Sequence, residues 1–548
     1  MNLSVFIHKH KYKIASSLFL FYLCFTFYKL GENSLWYDEC FSIDLGNDTI
    51  EEIIHYSLYN DTNPPLYLII VHYWIDFFGN SEFSLRSISA ISGSITLAVF
   101  FLFSLRFFNW QTAVFAVLFF ITSNELYYYS QEGRTYGLIL LLCTLSNYVF
   151  MSLIQKPNWI YAILLGLINI AIFYMHTLGC INIVGQILLA PILAFNKQVF
   201  ITKDKTIKSF LGYKLKFIIW YLASWFLFYV LFYPWQERFF GIIEEGGKGF
   251  WLKKPTFVEY KQVLFDFYNS EYLFYVYGAL ILMATIVVLF FKKYREDSFN
   301  YKLLIVPLIL GPLLYNFDYF AATISPIFLK RYILFTLLGF ILLFAYLLSS
   351  LKINFKIKLS LVLVMCILSF SSMKYPRAVY WDYKNVVASL KEKISPSTFI
   401  YTDNAMLFAY YLDNEGAFKA YEQERYTLLA KHNVYTSGGP EWTKTFELSK
   451  YKDIYYTRSF STYIDPEKTA EKNLNAEFTF VEELSFPGIQ VSHYKNKSMS
   501  AETLKKLKEK ILATKEWYDQ VIIKAKERNV SIDSMMTLDA IWVYKNQK

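Results

Sequence analysis

Asp38 and Glu39 are adjacent carboxylates in the run Trp36-Tyr37-Asp38-Glu39-Cys40-Phe41-Ser42, just past an apolar stretch that ends at Leu30. Held at a membrane face, such a pair can serve as general base or metal ligand for chemistry on a lipid-borne substrate. Four further clusters pair ionisable groups with aromatics near the ends of apolar stretches. They are Asn63-Pro64-Pro65-Leu66-Tyr67 followed by His72, Glu82 and Arg86; Tyr129-Ser130-Gln131-Glu132-Gly133-Arg134-Thr135-Tyr136; His176; and Lys330-Arg331-Tyr332. Each also has a plainer reading. Asp38-Glu39 reads as a solvated loop pair, Glu132-x-Arg134 as an ion pair at a helix start, and His176 as a satisfied interfacial histidine. Lys330-Arg331 reads as snorkelling cations.

What must position these residues is a set of membrane spans. Candidate spans cover 14–30, 85–107, 112–129, 135–154, 158–175, 178–195, 217–233, 271–291, 303–316, 331–350 and 359–374, near the ~20 residues a bilayer requires. The 65–78 segment is apolar but short and carries His72 and Asp76, so it reads as an interfacial or re-entrant helix. From Gly31 to Pro64 there are eight carboxylates and no Lys or Arg, while Lys9, Lys11 and Lys13 precede the first span. Basic loops hold Lys197 to Lys216, Lys292 to Lys302 and Lys352 to Lys358. Eleven spans put all of these cations on the cytoplasmic side, with the N-terminus inside and the C-terminus outside. Every polar cluster then falls on the outer face, where ionisable groups at the edge of a bundle imply one outward-facing cleft.

Composition agrees. Of 548 residues, 55% are hydrophobic and 20% aromatic, too apolar for a soluble chain of this size. The net charge of +9 lies in short loops, so it sets orientation and does not imply nucleic acid. Cys24, Cys40, Cys143, Cys180 and Cys366 show no metal or disulfide spacing. The first span lacks a nearby cleavage site and reads as an anchor. Gly246-Gly247-Lys248-Gly249 fails the spacing of a phosphate loop and reads as flexible, with Glu244, Glu245, Phe250 and Trp251 placed to gate a cleft.

The fold class expected is therefore a polytopic all-α membrane bundle with a C-terminal extracytoplasmic α/β domain. The bundle occupies 1–374, with a first outer loop at 31–84 and a large one at 234–270. The α/β domain occupies 375–498, with strands near 397–402 and 452–456, a helix at 404–412 and a closing hairpin at 478–494. A helical tail occupies 499–548, its last helix capped by Ser531.

The ordered set Trp36-Tyr37-Asp38-Glu39-x-x-Ser42, Asn63-Pro64-Pro65-Leu66-Tyr67, Ser81-Glu82-Phe83-Ser84-Leu85-Arg86, Tyr129-Ser130-Gln131-Glu132-x-Arg134-x-Tyr136, Tyr174-x-His176 and Arg331-Tyr332 resembles bacterial members of glycosyltransferase family 39. These belong to the polytopic GT-C superfamily, with the protein O-mannosyltransferases and the lipid A aminoarabinose transferase. The resemblance covers about residues 10–350. Where the aminoarabinose class has Lys before the proline of the second motif, this chain has Asn63.

The resemblance implies a sugar donor on a polyprenyl phosphate and an acceptor glycolipid, glycan or protein, at the bacterial inner membrane. It implies that Asp38 takes the proton of an acceptor hydroxyl, that Glu39 orients Asp38 or helps hold a divalent cation, and that displacement proceeds with inversion. Arg331, Lys330 and Arg134 would stabilise the departing phosphate, with Asn63, Tyr67, Glu82, Arg86, Glu132, Tyr136, His176 and Tyr332 also lining the site. The sequence leaves a metal open; its oxygen ligands and His176 suit Mg2+ or Mn2+. The main alternative is a transporter or flippase of lipid-linked sugars. It would place ionisable groups through the midplane, whereas the span centres here are almost purely apolar.

Overall fold

The computed structural model describes residues 3–194, 207–244, 252–413, 422–436, 442–459, 465–496, 501–528 and 530–546. Residues 245–251, expected to form a flexible loop and gate, lie outside them. The chain forms two compact units, Met1–Val379 and Tyr380–Lys548.

The first unit is helical. Glu82–Phe107, Tyr136–Gln155, Thr177–Ala194, Gly212–Ile242, Glu271–Phe290 and Tyr301–Ile324 are long and apolar enough to cross a bilayer, as a multi-pass membrane protein requires. The five other expected spans are shorter helices: Lys11–Phe27, Trp110–Ile121, Trp159–Met175, Phe335–Ser349 and Phe355–Ser371.

Glu82–Phe107 packs against Lys11–Phe27, Tyr136–Gln155 and Trp110–Ile121. Its sequence explains this central place. Ser84, Ser87, Ser89, Ala90, Ser92, Gly93 and Ser94 give it a slim, buried surface, and small residues let membrane helices approach closely. Ser92, Ser94 and Thr96 each donate to the carbonyl four residues back at 2.7 Å, so their hydroxyls are satisfied within the helix. Arg86 enters the core from the first turns of this helix.

Two segments depart from the expected spans. The 112–129 run breaks between Trp110–Ile121 and Asn124–Ser130. Asn269 bridges the break: its Nδ2 donates to the Thr122 carbonyl at 2.8 Å and its Oδ1 accepts from the Asn124 N–H at 2.9 Å. The 331–350 run becomes helical only at Phe335, after a turn in which the Tyr332 N–H donates to the Leu329 carbonyl. The expected first outer loop holds three helices, Tyr37–Gly46, Ile50–Tyr59 and Leu66–Phe78. A Cβ on Gly46 would come within 2.7 Å of Val71 Cγ1, so glycine lets the first and third of these touch.

The second unit carries a five-stranded sheet of β1 (Thr398–Tyr401), β2 (Val434–Tyr435), β3 (Asp453–Arg458), β4 (Phe478–Phe486) and β5 (Ile489–Asn496). Their order is β2-β1-β3-β5-β4. β1 runs parallel to β2 and β3, and β5 antiparallel to β3 and β4. Phe399, Tyr401, Trp442, Ile454 and Tyr494 fill one core beneath it. Ala501–Ala513, Lys515–Glu527 and Ile532–Asn546 enclose a second core of Leu507, Ile511, Val521, Met535 and Ala540. Ser531 Oγ accepts from the Ser534 N–H at 3.1 Å and caps the last helix.

Candidate active site

The Tyr37–Gly46 helix places the carboxylate pair in its first turn, where negative charge complements the helix N-terminus. Glu39 Oε2 reaches back to accept the Trp36 N–H at 3.3 Å, the return arm of a capping box. Adjacent residues on a helix diverge by about 100°, so the two carboxylates enter different surroundings.

Glu39 is fully buried. Arg86 grips it through Nε on Oε1 at 2.9 Å and Nη2 on Oε2 at 2.7 Å. Oε1 also accepts from the Gly133 N–H at 2.8 Å and from Arg377 Nη1 at 3.2 Å. Arg86 spends its remaining donors on the Leu30, Asn33 and Ser34 carbonyls at 2.8–3.1 Å, so all five guanidinium N–H groups are used. A buried ion pair holds only when its hydrogen bonds are completed in this way. Burial alone would raise the Glu39 pKa, but Arg86 and Arg377 bring it down to about 2. Gly133 is required here, since a Cβ would lie 2.5 Å from Leu85. Glu39 is thus a fixed joint for the first-loop helix, the Glu82–Phe107 helix and the 131–134 turn.

Asp38 differs: its side chain is 24% exposed. Its Oδ2 lies 3.4 Å from Arg331 Nη1 and 4.0 Å from Arg134 Nη2. Arg134 Nη1 donates to Ser42 Oγ at 2.6 Å and to the Asp38 carbonyl at 3.0 Å. Its Nε–H is buried without a hydrogen-bond partner among the described residues. Arg331 lies against the rings of Trp36, Tyr136 and Tyr332 at 5.5–5.6 Å. His176 packs 4.8 Å from Tyr332 and 6.2 Å from Tyr136. Its Nδ1 accepts the Leu178 N–H at 3.2 Å, which leaves the proton on Nε2. Burial, then Arg134 and Arg331, lower its pKa to about 3, so the ring stays neutral. Tyr67 is buried with Arg134 and Ser42 among its neighbours.

Glu132 is buried too, 3.9 Å from Arg377. Burial raises its pKa to about 7 despite Arg377, and the Glu39 charge adds to the rise. Its Oε2 has no hydrogen-bond partner among the described residues.

The structure gathers Asp38, Arg134, Arg331, Tyr136, His176, Tyr332, Tyr67 and Glu132, and buries the Glu39–Arg86 pair, with Glu39 on the same helix turn as Asp38 and bonded to the 131–134 turn. Of the other expected residues, one is paired elsewhere. Lys330 pairs with Asp266 at 2.8 Å and Glu125 at 3.2 Å, not with the Asp38 group. Asn63 is engaged by its own loop, its N–H donating to Asp61 Oδ1 at 3.0 Å. Glu82 occupies the first turn of its helix, where a carboxylate complements the helix end.

Arg377 is the residue that sequence reasoning passed over. It is buried, its guanidinium 4.5 Å from the Tyr128 ring, and Nη1 donates to the Gln131 carbonyl at 2.5 Å. Its carbonyl accepts from Asn33 Nδ2 at 2.6 Å. A lone arginine after the last apolar run carried no pattern that marked it.

The Asp38-Glu39 pair does not suit a shared divalent cation, because both Glu39 oxygens already accept from arginines and Asp38 faces two guanidiniums. Among the described residues no group of three or more His, Cys, Asp or Glu side chains is placed to hold one. What the arrangement offers is an accessible carboxylate beside two cations, with aromatic walls and a neutral imidazole.

No protein-family model matches the chain, and no curated protein does. Solved structures do. The chain is similar to ArnT from Cupriavidus metallidurans bound to undecaprenyl phosphate, at 13% identity and TM-score 0.47 over 88% of this chain and 98% of that one. For the apo state of ArnT the identity is 13% and the TM-score 0.48, over 87% of this chain and 97% of that one. It is also similar to the Archaeoglobus fulgidus oligosaccharyltransferase in complex with Zn and sulfate. There the identity is 10% and the TM-score 0.42, over 87% of this chain and 73% of that one.

Proposed function

We propose that the chain is an integral-membrane glycosyltransferase of GT-C type. It moves a sugar from a polyprenyl-phosphate donor to a hydroxyl of a lipid, glycan or protein at the outer face of the cytoplasmic membrane. The observation that carries this reading is Asp38, an accessible carboxylate 3.4 Å from Arg331 and 4.0 Å from Arg134. Such a site needs a base for the nucleophile and positive charge for the phosphate that leaves, and these three residues supply both.

The acceptor oxygen attacks the anomeric carbon while Asp38 takes its proton. The bond from that carbon to the phosphate oxygen breaks, and the electron pair leaves on polyprenyl phosphate. Arg331 and Arg134 stabilise the charge growing there, and the unspent Arg134 Nε–H is a further donor for it. His176 offers its Nε2–H, and the rings of Tyr136 and Tyr332 offer faces for the sugar. Glu39, Arg86 and Arg377 act as positioning residues that hold the Asp38 turn. Attack opposite the leaving phosphate inverts the anomeric centre.

The test is transfer in membranes supplied with radiolabelled polyprenyl-phosphate sugars or with the matching nucleotide sugars. Product from the lipid donor alone supports the reading. Product from nucleotide sugars in membranes stripped of polyprenyl phosphate refutes it.

A further inference from the structure

A second polar cluster begins one residue before Arg331. Lys330 Nζ lies 2.8 Å from Asp266 Oδ2 and 3.3 Å from Glu125 Oε1. The three side chains come from separate elements: Asn124–Ser130, Phe257–Phe267 and the turn before Phe335–Ser349. Lys330 and Asp266 keep an open edge, their side chains 36% and 28% exposed. Glu125 is 3% exposed. Its Oε1 also accepts from Asn124 Nδ2 at 3.2 Å, while its Oε2 makes no hydrogen bond, although Lys330 Nζ stands 3.2 Å away. Asp266 Oδ1 accepts from Gln262 Nε2 at 3.0 Å.

Glu39 is the internal comparison. Equally buried, it has donors on both oxygens, as a structural brace should. Glu125 has one oxygen that faces the Lys330 charge without a hydrogen bond, and two carboxylates here share one ammonium. The cluster is linked to the reacting centre through Tyr129. Tyr129 has Glu125, Glu132 and Tyr136 all among its electrostatic neighbours, and Arg331 lies against Tyr136.

The chemistry selects the ligand. A phosphate would be repelled by two carboxylates. A metal ion would have to displace the ammonium that already sits between them. Neutral hydroxyls fit, because each can donate to a carboxylate and accept from Lys330. We propose that Glu125, Asp266 and Lys330 form a subsite for the ring hydroxyls of a sugar held beside the reacting carbon. The inference rests on the glycosyltransferase reading of the adjoining site.

Asp266→Asn and Lys330→Met in the full-length protein test it. The substrates are a polyprenyl-phosphate sugar that wild type transfers, its epimers and its monodeoxy analogues. KM for the sugar-bearing substrate should rise about tenfold, the equivalent of one good hydrogen bond, with a smaller fall in kcat. The preference for the sugar over its deoxy analogue should shrink. A rise in donor KM places the transferred sugar in the subsite, and a rise in acceptor KM places a glycan acceptor there. A lowered Tm with both KM values and the sugar preference unchanged overturns the proposal and leaves the triad a brace. Should wild type transfer no sugar at all, the transferase reading falls by itself. The subsite is then tested with methyl glycosides: saturable binding to the purified protein, lost in Asp266→Asn, supports it, and no binding overturns it.

Discussion

Arg377 Nη1 lies 3.2 Å from Glu39 Oε1, across 338 residues of sequence. The same guanidinium bonds the Gln131 carbonyl and the Tyr128 hydroxyl, so it ties the first-loop helix to the turn that carries Arg134. A lysine would keep the charge but lose the fork. Arg377→Lys should lower kcat/KM by about 10²-fold, the scale on which a misplacement of about 1 Å acts. It should leave the protein inserted. Kinetics within twofold of wild type would remove Arg377 from the account.

The Glu39–Arg86 pair should govern stability more than chemistry. Breaking a buried pair from one side leaves an uncompensated charge and costs about 3–5 kcal/mol. Glu39→Gln and Arg86→Ala should each lower stability on that scale in denaturant unfolding in detergent, and the double variant should cost less than their sum. Losses under about 1 kcal/mol contradict this. The pKa of Glu39 is depressed, to about 2, so its contribution is present above the ordinary carboxylate range. It is lost as pH falls toward 2. Glu39→Gln should flatten that acid limb.

Glu132 predicts a pH effect of the opposite sign. Its pKa is raised to about 7, so the folded protein holds a proton there that the unfolded chain loses near pH 4.5. Stability from this group therefore falls as pH rises between those values. Activity should follow. Above pH 7 a new carboxylate charge near Arg331 and Arg134 competes with the donor phosphate, a diester whose own charge is constant over this range. Donor KM should rise through pH 7 in wild type and stay level in Glu132→Gln. An identical inflection in both proteins would assign it elsewhere.

The helices of the first unit were legible because apolar runs of bilayer length have few other fates. The break at Thr122 and Ser123 was not, because it depends on Asn269 from the distant turn between Phe257–Phe267 and Glu271–Phe290. The carboxylate pair and the partners Arg86, Arg134 and Arg331 stood out as types. Their division of labour did not, because adjacency in sequence hides the rotation that buries Glu39 and exposes Asp38. Lys330 and Arg331 show the same thing, parting to Glu125 and Asp266 on one side and Asp38 on the other. Arg377 could not be found, since only tertiary contact gives it meaning. In the second unit β1, β3 and the closing hairpin followed from β-branched and aromatic runs. β2, two residues long, was too short to carry a pattern.

The most direct test of the central claim is sugar transfer by Asp38→Asn from a polyprenyl-phosphate donor, measured beside wild type at equal insertion and equal Tm. Loss of the general base should lower kcat by ~10²–10⁴-fold, with donor KM little changed because Arg331 and Arg134 remain. Transfer by Asp38→Asn at the wild-type rate would contradict the assignment of Asp38 as the base.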